Sequence, residues 1–447
     1  MYAPGNPDSD RLRDPLTGLP GIDAVRARLA QWLADGAQGG QDGQSGQGRQ
    51  RATVHAILLG LRRFDAVNLA YGAPAGDAAL AEVAARMSQF AGSELEGPWL
   101  LARGSGGNFL LIADEACSRE RWQLFGEQLA DAIARPFAIS GGMLRLSPRI
   151  GLLRGLSDED AGSMLDRLGQ ALAAAQRQQG RRLVWADGEA TRPGRTAAEL
   201  EADLLVAIDR DEIEMVFQPQ FSLPDDSLTG AEALARWNHP GLGRIGASTL
   251  FGIAERTDHV APLSRHIARR TLEQARHWPG HLRLSLNVTT ADLAVASYAG
   301  ELSQIVSASG FPPERLTLEV TEQALLHDIH LAAETLGAFS AMGMRIALDD
   351  FGAGFCNFRY LKLLPLDYLK LDRSMVDGIA SDPRDLAVLR AIVAMAGALG
   401  LKVIAEGVES EAQRMRISDE GCAFYQGFLR APPMTAKAFA VFASSEA

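Results

Sequence analysis

Asp349 and Asp350 stand side by side and lead into Phe351-Gly352-Ala353-Gly354. Adjacent carboxylates ahead of a glycine-containing loop can offer one set of oxygens to each of two cations, although a lone Asp-Asp is more often a solvated turn. Here the pair has company. Glu232, Asn287, Glu319 and Glu406 each close an apolar, strand-like run. Five acids and an amide gathered at one place would repel one another without cations, and hard oxygen donors favour magnesium or manganese over zinc. Lys370 is conspicuous because only four lysines occur among the 44 basic residues, and this one lies inside YLKLD. It reads either as a compact ammonium beside a metal-bound water or as a lysine snorkelling from a strand end. Arg236 could grip a phosphate through both arms of its guanidinium or pair with a glutamate, and Gln218 is a further polar candidate.

The elements that must position these residues are legible as eight short apolar runs over residues 198–440: EMVFQPQ, GAEALARW, LRLSLNV, RLTLEVTE, MRIALDDFG, DYLKLD, KVIAEGVE and YQGFLR. Helical patterns alternate with them, which predicts a (β/α)8 TIM-like barrel whose strand ends converge on one face. Glu232 and Arg236, Asn287, Glu319 and Glu322, Asp349 and Asp350, Lys370 and Asp372, Glu406 and Glu409, and Gln426 all fall at such ends. Ahead of the barrel, residues 13–188 contain three strand-like runs (ATVHAILLGL, WLLARGSGGNFLLIAD and LRLSPRIGLLRG) and helical stretches such as AGDAALAEVAARMSQFA, the makings of a smaller α+β domain. Residues 1–12 read as a tail and 189–197 as a linker. The Gly/Gln-rich segment 36–51 has too little apolar surface to offset its ordering entropy, so a disordered loop is expected there.

A chain of 447 residues exceeds what one core usually supports, consistent with two domains. Its net charge of −11 lies wholly in the second part: residues 1–195 hold 22 Lys+Arg and 22 Asp+Glu, residues 196–447 hold 22 and 33. That acidic surplus disfavours duplex nucleic acid and suits a cation site. No run is long and apolar enough for a membrane span and no secretory leader is evident, which points to the cytoplasm. Cys117, Cys356 and Cys422 are far apart in apolar surroundings and read as buried thiols.

In order and spacing, EALARW, LNVT, LEVTE, DDFGAG, YLKLD, AEGVE and YQGF resemble the EAL-domain cyclic di-GMP phosphodiesterases. The resemblance implies that Glu232, Asn287, Glu319 and Asp349 hold one divalent cation, Mg2+ or Mn2+, and that Asp349, Asp350 and Glu406 hold a second. Lys370 and Gln426 then flank the attacking water, Gln218, Leu234 and Arg236 bind the substrate, and Glu322 steadies the loop after the paired aspartates. The implied reaction is in-line attack of activated water on one phosphodiester of cyclic di-GMP to give linear pGpG, with two cations about 3.5–4 Å apart. Homodimerisation through this domain is also implied. The loop departs from the family pattern at Ala353, Phe355, Cys356 and Asn357, where hydroxyl-bearing residues are usual, so regulation or turnover is expected to differ.

The N-terminal domain is similar to a GGDEF domain through RDPLTGLPG at 13–21 and FDAVNLAYGAPAGD at 64–77. Its signature loop is replaced by Ser105-Gly106-Gly107-Asn108-Phe109, a metal-binding aspartate position by Gly60, and a triphosphate-contacting lysine position by Asp65. The Arg-x-x-Asp inhibitory site is absent at Glu96–Trp99. No diguanylate cyclase activity is expected of such a domain. Asn68 and Asp77 match guanine-recognition positions and leave room for GTP as a regulatory ligand, against a purely structural or partner-binding role. Two rivals to the enzyme remain: a catalytically silent cyclic di-GMP receptor, and a scaffold whose barrel binds a partner.

Overall fold

The computed structural model describes residues 13–38, 54–62, 64–115, 117–139, 142–155, 159–177, 182–187, 197–295, 297–325, 329–352, 358–376, 378–380 and 382–446. The chain divides into two compact units, the first comprising residues up to Asp203 together with Trp237–Ile253, the second Leu204–Arg236 and Ala254–Ala447.

In the first unit, β1 (Val54–Leu61), β2 (Trp99–Arg103), β3 (Asn108–Asp114), β6 (Pro148–Arg154) and β7 (Leu183–Trp185) form one sheet in the order β2-β3-β1-β6-β7. The short strands β4 (Phe137–Ile139) and β5 (Gly142–Leu144) make a separate hairpin. Alternate residues of β1 bury on opposite faces, as a pleated strand requires. Ile57, Leu59 and Leu61 join a cluster with Val83, Met87, Trp122 and Phe125, whereas Val54 and Ala56 meet Val25, Leu29, Met164 and Leu168. Helices Ala73–Glu94 and Arg119–Ala134 therefore cover one face, and Ile22–Gln38 and Ala161–Arg177 the other.

Three expectations change here. The run WLLARGSGGNFLLIAD is two antiparallel strands folded at Gly104–Gly107, where Gly106 takes φ +62°. The Arg103 guanidinium ties this turn by donating to the carbonyls of Gly104 (2.8 Å), Asn108 (2.9 Å) and Gly106. Helix Ile22–Gln38 runs three residues into the segment expected to be a disordered loop. The rest of that segment, 39–51, lies outside the described residues, as do 1–12, 188–196 and the loop 353–357. Cys422 is buried, but Cys117 is only half-buried, 3.7 Å from His55 Nε2, with its thiol pushed up to about 12 by burial. Cys356 lies outside the described residues.

The second unit is built on the barrel. Its strands are β8 (Ile213–Ser222), β9 (Leu228–His239), β11 (Arg283–Val288), β12 (Leu316–Thr321), β13 (Arg345–Phe351), β14 (Tyr368–Leu371), β15 (Lys402–Ala405) and β16 (Phe424–Tyr425). Strands β9 and β11 to β16 pair in parallel around the sheet, and β8 closes it by pairing with both β16 and β9. Strict alternation fails at the start: β8 runs antiparallel to β16, and only Leu223–Ser227 connects it to β9. Five residues suffice for a hairpin return but are far too few for a parallel crossover. The eighth run is also shorter than expected, with strand pairing ending at Tyr425. Of the remaining short strands, β10 (Gly243–Ile245) pairs with the last residues of β9, and β17 (Met434–Thr435) pairs with β8. Among the described residues no helix is long and apolar enough to cross a membrane.

Close packing in the first unit gives a direct test. A Cβ at Gly60 would lie 2.8 Å from Gln176 Nε2 and 2.9 Å from Asn108 Oδ1. Gly60→Asp is expected to cost about 1–3 kcal/mol of overpacking, read as a lower melting temperature; an unchanged melt would mean that this space is open.

Candidate active site

Parallel neighbours bring the candidate side chains to a common level. Asn287 on β11 lies opposite Glu319 on β12, Thr321 opposite Asp349 on β13, and Ser285 opposite Glu232 on β9. Glu406 follows immediately on β15 and Gln426 on β16. At Asp349-Asp350 the pairing of β13 with β14 slips between Leu348 and Phe351, and Asp350 takes φ +56°. This left-handed position is uncommon outside glycine but accessible to aspartate. The Asp350 N–H donates to Asp349 Oδ1 (3.0 Å), which stabilises the bend that turns both acids into the barrel mouth.

Lys370 stands at the centre with no exposed side-chain surface. Its ammonium lies 2.5 Å from Glu319 Oε2, 2.7 Å from Glu406 Oε1, 3.0 Å from Asp349 Oδ1 and 3.3 Å from Glu232 Oε2. The snorkelling alternative is thereby excluded. Burial disfavours its charge, but Asp349, Glu232, Glu319 and Glu406 outweigh this and raise its pKa well above the ordinary lysine value. Glu232 stays ionised for a related reason: burial opposes it, while Lys370, Gln426 and Asn287 together hold its carboxyl below the usual range. Its donors are Asn287 Nδ2 (2.9 Å) and Gln426 Nε2 (2.8 Å).

One ammonium cannot neutralise five acids, and the others show it. Burial and the charge of Glu232 push Glu319 well up, burial raises Glu406 in the same way, and burial with the charge of Asp349 pushes Asp350 up to about 8. Carboxylates held this way have unspent affinity for cations. Two groups have ligand atoms within 4.8 Å of one another: Glu232, Glu319 and Asp349, and Asp349, Asp350 and Glu406. They share Asp349. Glu319 Oε1 is buried without any hydrogen-bond partner, which fits an oxygen intended for a metal.

Gln426 joins the two groups by donating to Glu406 Oε1 (2.8 Å) as well as to Glu232. Its own carbonyl accepts from Gln220 Nε2 (3.0 Å), so the amide has one orientation. Gln220 escaped the sequence reading, which named Gln218. The signal was the pair spaced by two in Gln218-Pro219-Gln220, which shares one strand face; Gln220 is buried and Gln218 half-buried. Arg236 is buried, with Nη1 donating to the Ala235 carbonyl (2.9 Å). Leu234 is half-buried on the same strand. Glu322 opens the short 3-10 turn after β12, ahead of β13. In the first unit, Asn68 and Asp77 are both exposed.

A barrel with a carboxylate-rich, metal-competent centre at its strand ends is the class that fold and site define. The family model described as "EAL domain" matches residues 201–433 and that described as "Diguanylate cyclase, GGDEF domain" matches 11–182. The chain belongs to the EAL-domain family and carries a GGDEF domain in tandem. Among curated relatives, the bifunctional diguanylate cyclase/cyclic di-GMP phosphodiesterase MucR of Pseudomonas aeruginosa is 31% identical over 95% of this chain and 61% of its own length. The cyclic di-GMP phosphodiesterase NbdA of the same organism is 30% identical over 86% and 49%. The chain thus spans about half to two thirds of the length of these relatives. Among solved structures, the PaMucR phosphodiesterase in complex with cyclic di-GMP superposes with a TM-score of 0.51 and 34% identity over 54% of this chain and 99% of that one. The apo S helix-GGDEF-EAL structure of Vibrio cholerae LapD has a TM-score of 0.54 and 18% identity over 94% and 96%, a likeness of fold.

Removing the central ammonium leaves buried carboxylates unpaired. Lys370→Ala is expected to destabilise the metal-free protein by about 3–5 kcal/mol, with manganese restoring more of the melting temperature than it adds to wild type. Equal melts without metal would show that the four ion pairs contribute nothing net.

Proposed function

We propose that the barrel hydrolyses one phosphodiester of cyclic di-GMP to linear pGpG at a centre of two divalent cations, magnesium or manganese. The observation that carries this reading is the pair of carboxylate groups sharing Asp349 around one buried lysine. It is supported by the likeness to a phosphodiesterase in complex with the same dinucleotide. Glu232, Asn287, Glu319 and Asp349 would hold one cation and Asp349, Asp350 and Glu406 the other. Cations so held supply positive charge to a phosphate and acidify water.

The chain's own groups do the remainder. Gln426, fixed by Gln220, and Lys370 flank the place where water must stand and can orient it toward phosphorus. With those carboxylates engaged by cations, the Lys370 ammonium would be free to donate to the water or a phosphate oxygen. Gln218, Leu234 and Arg236 bind the dinucleotide, Arg236 through phosphate, and Glu322 steadies the chain that follows the paired aspartates. Two such chains pair through their EAL domains.

The N-terminal unit, in this reading, makes no cyclic di-GMP. Cyclisation of two nucleoside triphosphates needs carboxylates for cations. At Gly60 the space for such a side chain is taken by Gln176 and Asn108, and among the described residues both acidic groups capable of holding a metal lie in the barrel. The bifunctional relative makes this a point for direct measurement.

Incubation with cyclic di-GMP and magnesium or manganese should yield pGpG, with turnover lost in Glu232→Ala. Dinucleotide binding with no pGpG at stoichiometric enzyme would mark a receptor instead. GTP with either metal should yield no cyclic di-GMP, and its appearance would refute the silent-cyclase reading. Lys370→Ala should reduce turnover by at least about 10²-fold, the scale of general acid-base and charge contributions, while leaving dinucleotide affinity within a few-fold; a proportionate loss of both would contradict its role.

A further inference from the structure

Glu94 is the last residue of helix Ala73–Glu94, and its side chain has no exposed surface. An interior carboxylate needs partners, and this one has three. Arg121 Nη2 donates to Oε2 (2.8 Å), the Gly246 N–H to Oε2 (3.1 Å) and the Thr249 N–H to Oε1 (2.6 Å). The two backbone donors stand at the N-terminus of helix Ala247–Arg256, where a negative charge is favoured by the helix dipole. Arg121 also donates through Nε to the carbonyl of Arg244 (2.9 Å), and Ser93 Oγ lies 2.7 Å from Ser248 Oγ. Gly246 approaches so closely that a Cβ there would lie 2.5 Å from the Ser93 carbonyl oxygen. All of these residues belong to the first unit.

What this grip holds is the continuation of β9. Arg244, whose carbonyl Arg121 binds, pairs with Asn238, and Ile245 pairs with Trp237. Two residues before Asn238 stands Arg236, and four before that Glu232, on the same strand. A strand is stiff along its length, so fixing one end limits the motion of side chains a few residues away. Nothing in barrel formation calls for a buried acid at the end of a helix some 140 residues earlier in the chain.

We propose that Glu94 is a positioning residue for the cyclic di-GMP site: with Arg121 it anchors β10 and the start of helix Ala247–Arg256, and so sets the placement of Arg236 and Glu232 on β9. Its kinetic part rests on the phosphodiesterase reading; its structural part does not.

Hydrogen exchange and kinetics on the full chain test this together, using Glu94→Gln, which keeps the shape and loses the charge. Amides of residues 230–239 and 243–249 should exchange at least about tenfold faster than in wild type, while those of β1 and β3 keep their rates. kcat/KM for cyclic di-GMP should fall about tenfold. Glu96→Ala, which breaks the exposed pair with Arg244 (2.9 Å) and leaves Glu94 with its partners, should change neither. Unchanged exchange in 230–249 overturns the proposal, and so does faster exchange with unchanged kcat/KM. If wild type makes no pGpG, the phosphodiesterase reading fails by itself, and calorimetric affinity for cyclic di-GMP replaces kcat/KM as the readout, with the same tenfold criterion. If Glu94→Gln does not fold, Thr249→Pro serves: it deletes one donor within a first helical turn, where proline is tolerated.

Discussion

A fully buried ammonium shared among four carboxylates is the constraint on which the barrel turns. Moving one charge out of water costs several kcal/mol even after relaxation, and here Lys370, Glu232, Glu319, Asp349 and Glu406 are all removed together. The arrangement is tolerable because each charge lies within about 3.3 Å of an opposite one, and because Asn287 and Gln426, the latter held by Gln220, supply directed donors to Glu232. It is nevertheless left incomplete. Acids outnumber the lysine, Glu319 Oε1 has no donor, and several carboxyls are driven toward their protonated forms by burial and by one another. Such a centre leaves carboxylates that a cation could satisfy.

The surrounding fold follows from that demand. Parallel strands set the acids at one level, a slip in pairing at Leu348–Phe351 lets two consecutive residues face the same centre, and the left-handed turn at Asp350 gives the second acid its direction. A regular strand would have sent Asp350 to the outside. Local strain at this point lets Asp349 belong to both carboxylate groups. The hairpin start of the barrel has its own consequence: β8 returns directly into β9 and brings Gln220 beside Gln426.

The first unit shows the opposite economy. Gly60 is closed over by Asn108 and Gln176, and Arg103 ties down the tight turn between β2 and β3. Among its described residues, the deeply buried acid Glu94 is directed at two backbone N–H groups. The same residue type that binds cations in the barrel here fixes a helix start.

Sequence by itself was enough for the barrel, the acidic strand ends and the tandem of a GGDEF and an EAL domain. Each depends on short-range pattern: apolar runs of strand length, polar residues at their ends, and motifs whose spacing survives in one dimension. The tertiary structure alone decided that Lys370 touches four carboxylates rather than solvent, that Gln220 orients Gln426, that the first strand is antiparallel, and that Glu94 grips a segment 150 residues downstream. These depend on where distant strands and helices come together and on how little water remains between them. The strength of a charge is set by that burial, and no reading of residue order contains it.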